Sequence, residues 1–199
     1  MSEKTSGRLI GYVFLLAFVL YGSGSALVDA AASEWLVSAG LLLMLFNSIG
    51  VALIGVLAVR VVSRTHEVSA HIYLATRIFE AVLLAVGAVF LVQGGSVADE
   101  ASQRGYWFAM TALGLGSVFF CRALLQAQLV PRPLATWGIA GYALLAAGGM
   151  LEILGYGVGL LLSAPGGLFE VALGILLVTR GFPADQPVRR ELQPEAAPR

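Results

Sequence analysis

Charged residues and cysteines are both scarce in this chain. Asp, Glu, Lys and Arg together make up 12% of its 199 residues, whereas a typical soluble domain carries roughly 25%. A soluble fold of this composition would lack a polar surface. The single cysteine, Cys121, lies in an apolar run, which excludes a disulfide framework and a thiolate metal site. We interpret Cys121 as a packing residue.

Basic runs and histidine clusters are missing as well. The formal net charge is zero, so we expect no nucleic-acid partner. The two histidines, His66 and His71, are five residues apart and would lie on different faces of a helix, with no cysteine or carboxylate cluster to complete a metal or haem site. No serine or cysteine stands beside a histidine base in the apolar segments. We therefore expect no metal, no cofactor, no catalytic residue and no enzyme activity.

What the chain does have is apolar sequence, which accounts for 58% of its residues. A membrane-spanning helix needs about 20 mostly apolar residues, and six segments reach that length. We predict an all-α fold in which six transmembrane helices form one bundle over residues 1–182, surrounded by the lipid bilayer. Residues 183–199, rich in proline and charge, are predicted to form a disordered cytoplasmic tail. The six predicted spans are 9–28, 35–62, 70–93, 106–129, 134–154 and 160–181.

The distribution of Lys and Arg predicts the orientation of the bundle. These residues precede the first segment, follow the second, lie between the fourth and fifth, and follow the sixth. Because cytoplasmic loops collect Lys and Arg, we expect both termini to be cytoplasmic and the protein to be a multi-pass protein of the inner (plasma) membrane. One alternative stays open, since small residues at 23–26 follow the first apolar run and the segment could be a cleavable signal peptide.

The third segment carries two charges where the bilayer is least tolerant of them. A charged side chain at mid-membrane costs roughly 3 kcal/mol on insertion scales, so Arg77 and Glu80 should face the protein interior. They are three residues apart and share a helix face with Tyr73, Leu84 and Gly87. Two interpretations follow: the pair neutralises itself and only fixes helix packing, or it belongs to a binding site.

Glu170, in the sixth segment, has no cation near it on its own helix until Arg180. Glycines at 166 and 174 lie one turn before and after it on the same face, so we expect Glu170 to point into a helix interface. Either Arg77 or Arg122 reaches this carboxyl, or the carboxyl is protonated.

Three further polar residues lie in the apolar segments. Asn47, near the middle of the second segment, could form a bond between helices or contact a ligand. Arg122 lies toward the cytoplasmic end of the fourth, from where its long side chain can reach the interface. Glu152, near the outer end of the fifth, is expected to be solvated. The candidate residues for binding a ligand or ion are Arg77, Glu80, Glu170, Asn47, Arg122 and Tyr73.

A short internal similarity links the two halves of the chain. Phe79-Glu80 and Phe169-Glu170 are each followed by a similar apolar trio. With three helices per half, this pattern is typical of inverted-repeat transporters. The alternative is chance, because apolar helices use few residue types and the other helix pairs align poorly.

Residues 73–81 (YLATRIFEA), 129–134 (LVPRPL) and 169–182, which begin with Phe-Glu and end with Arg-Gly-Phe, resemble the bacterial membrane proteins grouped as domain of unknown function 4386. The resemblance spans nearly the whole chain and matches it at Arg77, Glu80, Arg132 and Glu170. It implies a polytopic bacterial membrane protein and supplies no activity.

Two function classes are favoured by these observations. The first is a binder or carrier of a small solute, an ion or a proton, with the buried charges as its working site. The second is a non-catalytic subunit that docks another membrane protein or a second copy of itself, in which case the charge pair is structural. A third class, an intramembrane enzyme, lacks a visible reactive set.

Overall fold

The computed structural model describes residues 2–30 and 33–183, and within these ranges all regular secondary structure is helical. All five helices are long and apolar enough to cross a membrane, which indicates a membrane protein. Apart from Pro183, the predicted tail lies outside the described residues. The helices are α1 (Glu3–Ala30), α2 (Glu34–Gln93), α3 (Ser96–Gln126), α4 (Arg132–Ile153) and α5 (Gly159–Arg180).

Helix α2 contains both the second and the third predicted segments. Its 60 residues are interrupted at His66, whose backbone is not helical (φ −139°, ψ 68°); we call residues 34–65 the first arm and residues 67–93 the second arm. A side-chain carbon built on Gly55 would lie 2.9 Å from the Cβ of Arg77, whereas an unbroken helix would separate these positions by about 33 Å. The chain therefore reverses direction at His66.

Among the described residues, the structure thus has five helices where the sequence predicts six, because α2 joins the second and third predicted segments across the break at His66. The difference lies between residues 62 and 70, where the sequence predicts a connection and the structure continues the helix on both sides of one break. No glycine or proline occurs between Arg60 and Ala70, so nothing in this stretch stops a helix over several residues.

Both ends of the described chain meet at one end of the bundle. Lys4 packs against Gly181, and Phe182 packs against Gly7. Glu3 forms an ion pair with Arg64, two residues before the break in α2. The turn between α3 and α4 borders the same groove as Arg180. We call this the basic end of the bundle, because Lys4, Arg64 and Arg180 lie there.

The opposite end holds the other connections. Glu152, at the end of α4, accepts a hydrogen bond of 2.7 Å from the backbone N–H of Gly159, the first residue of α5. The expectation that Glu152 is merely solvated is therefore wrong. The first N–H groups of a helix have no partner within the helix, and the positive end of the helix dipole favours a carboxylate there.

The helices form a closed ring in which each packs against its chain neighbour and α1 packs against α5. Glycine pairs mark the closest crossings. A Cβ on Gly24 would lie 2.8 Å from the carbonyl oxygen of Gly40 in the first arm, and a Cβ on Gly11 would lie 2.7 Å from that of Gly174 in α5. Such close backbone approach is typical of membrane helix packing, and it brings the buried polar residues of different helices within reach of one another.

Candidate binding site

Arg77 is the centre of a buried polar cluster. The side chain is 2% exposed and makes three hydrogen bonds. Its Nε donates to Tyr73 Oη (2.8 Å), its Nη1 to Glu80 Oε2 (3.0 Å) and its Nη2 to Glu170 Oε1 (3.0 Å). Tyr73, Arg77 and Glu80 all come from the second arm, where their spacing puts them on one inward face. Leu84 and Gly87, the other residues predicted for that face, are buried as well.

Glu170 joins the cluster from α5. The cation that reaches it is Arg77, one of the two that the sequence suggested. Glu170 Oε1 also accepts a hydrogen bond of 2.6 Å from Tyr142 Oη, in α4. Tyr142 was not among the predicted site residues. It shares a buried face with Gly138 and Gly141. A tyrosine hydroxyl on a helix face lined by small residues was the sequence feature that could have indicated this site residue.

Aromatic rings hold the guanidinium in place. The Cζ atom of Arg77 lies 5.1 Å from the centre of the Phe14 ring and 5.2 Å from that of Tyr73, distances typical of cation–π contacts. The Tyr73 ring in turn stacks on Phe120, with ring centres 4.1 Å apart. The direction of the guanidinium is therefore fixed by packing as well as by hydrogen bonds.

The cluster contains more carboxylates than cations. Arg77 supplies one positive charge, and Glu80 and Glu170 can supply two negative charges. The structure does not bring Arg122 to the cluster: this residue is exposed on α3 and forms no ion pair within the described residues. Phe120, Cys121, Ala123 and Leu124 are buried, and at about 100° per residue these four positions lie on the side of α3 opposite to Arg122.

A cavity of about 420 Å³ borders the cluster. Arg77, Glu80 and Glu170 line it on one side, and every helix contributes to its wall. The wall is mostly apolar and includes Tyr21 and Tyr106, whose rings stack with centres 5.6 Å apart. The cavity opens to the surface between α1 and α5, where the exposed residues of its lining are Phe18, Gly22, Leu160 and Ala164.

Asn47 lines the same cavity from the first arm. It is 3% exposed, and its Oδ1 has no hydrogen-bond partner in the parts of the chain that the structure describes. The interhelical hydrogen bond considered for Asn47 is not formed there. A buried polar atom without a partner is uncommon in proteins and calls for an explanation.

The two Phe-Glu pairs occupy different surroundings. Glu80 and Glu170 bind the same guanidinium, but Phe79 is exposed whereas Phe169 is fully buried. The inverted repeat stays a prediction.

The model of one protein family, the domain of unknown function 4386, matches residues 8–181. The chain belongs to this family. The resemblance inferred from its sequence is thereby confirmed, and Tyr73, Arg77, Glu80, Tyr142 and Glu170 all lie within the matched part of this DUF4386 protein. Neither a curated protein nor a solved structure matches the chain. The family description assigns no activity, so the cluster and its cavity carry the functional conclusion.

Proposed function

We propose that this DUF4386 protein is a six-span membrane protein, with both termini on the cytoplasmic side of the plasma membrane, that binds and carries a small solute, an ion or a proton. Six crossings accord with the reversal at His66, because the start of α1 and the end of α5 meet at one end of the bundle. An odd number of crossings would separate those ends. The Lys and Arg residues of the basic end favour the cytoplasm for that side.

The observation that carries the proposal is the cavity, which connects the surface with a buried and unbalanced charge cluster. Taking ions out of water costs several kcal/mol for each, and this cost is offset only by good pairing. Two carboxylates that share one guanidinium attract a further positive charge, either a proton or a cation. Ionisable groups of this kind inside membrane proteins commonly mark ion and proton pathways.

The second candidate is a non-enzymatic partner subunit, and one observation favours it: Arg77 and Glu170 tie the second arm to α5, as a structural ion pair would. The contacts that the glycines make within the chain argue against this candidate. Two glycine pairs that could dock a partner, Gly11–Gly174 and Gly24–Gly40, are already in contact within the chain.

The test uses the protein reconstituted in proteoliposomes, together with the variants Glu80→Gln and Glu170→Gln. We expect proton flux, followed with an entrapped pH-sensitive dye, or ligand-induced thermal stabilisation in detergent, and we expect both variants to lose it while eluting as the wild-type protein does. Glu100→Gln is the matched control, because Glu100 pairs with Arg104 at the surface. Absence of flux and of stabilisation in the wild type, together with misfolding of both variants, would favour the structural role.

A further inference from the structure

We propose that the cavity beside Arg77 is a binding site for a monovalent organic cation with an apolar body, such as a protonated arylalkyl amine or a quaternary ammonium compound. This inference rests on the proposed function and narrows it to one class of ligand. Four features of the cavity carry it: its unpaired acceptor atoms, its charge, its wall and its opening.

Three acceptor oxygens in the lining of the cavity have no hydrogen-bond partner among the described residues. Within the described residues, Glu80 uses only Oε2 and Glu170 only Oε1 for hydrogen bonds, which leaves one oxygen of each carboxyl without a partner. Asn47 Oδ1, on the facing arm, has none either. The nitrogen atoms of Arg77 already donate to three partners. A ligand that brings N–H groups or a diffuse positive charge complements this set.

The net charge of the cluster favours a ligand that carries one positive charge. With both carboxylates ionised, Arg77, Glu80 and Glu170 sum to one negative charge, and Arg77 is the only cation that lines the cavity among the described residues. A monovalent cation neutralises the cluster, whereas an anion would meet two carboxylates. Ca²⁺ and Mg²⁺ prefer six or more oxygen ligands, and the largely apolar wall does not supply them.

The wall of the cavity selects an organic body over a bare inorganic ion. Tyr21 and Tyr106 present stacked rings, and Phe18 adds a third near the opening. Faces of aromatic rings attract ammonium groups and also cover apolar surface. The volume of about 420 Å³ lies in the range typical of small-molecule sites, about 300–1,000 Å³. A small inorganic ion would leave most of this apolar wall without contacts.

The opening has the same apolar character as the wall. The exposed residues at its edge are Phe18, Gly22, Leu160 and Ala164, none of which is charged. A ligand can therefore enter with its apolar body in contact with the protein throughout, and its charge is paired only when it reaches the cluster.

The experiment compares four probes that share a phenyl ring and differ in their polar group, using the full-length protein in detergent, with titration into empty micelles subtracted. Benzylammonium and benzyltrimethylammonium carry a positive charge, benzyl alcohol is neutral and benzoate is negative. We expect saturable binding of both cations, and binding of the neutral and anionic probes weaker by about tenfold or more, because those probes leave the buried carboxylates unpaired. Equal or tighter binding of benzyl alcohol or benzoate would overturn the proposal.

Variants link the binding to the cavity. Glu170→Gln and Asn47→Leu should each weaken benzyltrimethylammonium, and Glu100→Gln should leave it unchanged. Asn47→Leu keeps the test decisive if Glu170→Gln fails to fold, because Asn47 Oδ1 has no hydrogen-bond partner that the fold would lose within the described residues. Cation binding that neither variant alters would overturn the site.

The failure of this inference differs from the failure of the proposed function. Suppose that none of the probes binds, but the wild type conducts protons and Glu80→Gln abolishes the flux. The proposed proton pathway is then supported and the organic-cation site is refuted. If Na⁺ alone competes fully with benzyltrimethylammonium at equal concentration, the site binds inorganic cations, and the proposed preference for organic cations is refuted. If there is neither proton flux nor probe binding, both the proposed function and the organic-cation site are refuted.

Discussion

The interface between α1 and α5 has a sealed half and an open half. Toward the basic end, Gly7 packs against Phe182 and Gly11 against the backbone of Gly174. Toward the opposite end, the same helices separate, and the gap between Gly22 and Leu160 is the opening of the cavity. Glu170 lies where the halves meet, one turn from Gly174. Glycine contacts close one side of the charge cluster, while the other side stays accessible.

The largest effect is expected at the cluster itself. Arg77→Met removes the cation and leaves the buried Glu80 carboxylate beside the partly buried Glu170 carboxylate, which should lower the free energy of unfolding by about 3–5 kcal/mol. Denaturant titration in detergent measures this. The triple variant Arg77→Met, Glu80→Gln, Glu170→Gln should recover part of the loss, because no buried charge remains. Arg122→Met is the control, and an equal loss in that variant would mean that burial of Arg77 is not the cause.

The sealed half should not tolerate a side chain that the open half accepts. Gly11→Ala should destabilise the protein by about 1–3 kcal/mol, because its new carbon meets the carbonyl oxygen of Gly174 and the backbone has to move. Gly22→Ala, on the same helix, meets nothing within 4 Å. It should be neutral or stabilise by up to about 1 kcal/mol through helix propensity. Equal thermal stability of the two variants would contradict this difference between the halves.

The hydrogen bond from Tyr142 should have an intermediate effect. Tyr142→Phe removes one of the two donors to Glu170 Oε1 without changing the ring, so we expect a loss of about 1.5–3 kcal/mol, as for hydrogen bonds to charged groups. Tyr12→Phe, at an exposed position of α1, is the matched control. If both variants unfold at the wild-type temperature, Tyr142 does not hold Glu170.

The smallest effect on stability is expected at Asn47. Its Oδ1 has no partner within the described residues, and replacing a polar group without a partner by an apolar group of similar size is close to neutral or stabilising. Thermal unfolding of Asn47→Leu should therefore match or exceed that of the wild type. A clear loss of stability would mean that Asn47 has a structural role.

Local sequence patterns were sufficient to predict the polar face of the second arm. The partners of that face on other helices depended on long-range packing. The spacing of Tyr73, Arg77 and Glu80 along one helix was sufficient to place them together, because helical periodicity is a local property. The partner of Glu170 depended on which helices are neighbours, so the sequence left two candidates. Arg122 was judged by its depth in the membrane, although the apolar residues at 120, 121, 123 and 124 together lie on the opposite side of the helix.

Other features had weaker signals in the sequence. The reversal at His66 has no glycine or proline to mark it, so its backbone break was not predictable from turn chemistry. Tyr142 in an apolar run resembles an ordinary core aromatic until Glu170 is placed beside its hydroxyl. Glu152 caps a helix that follows it in the chain, and this role depends on the close approach of α4 and α5.

The most direct measurement is an experimental density map of the protein in lipid nanodiscs saturated with benzyltrimethylammonium. We predict density for one probe molecule in the cavity, with its ammonium group beside Glu80 and Glu170 and its ring among Phe18, Tyr21 and Tyr106. A map in which the cavity is collapsed or empty, with Arg77, Glu80 and Glu170 apart and facing lipid or bulk water, would contradict both the binding site and the function proposed for it.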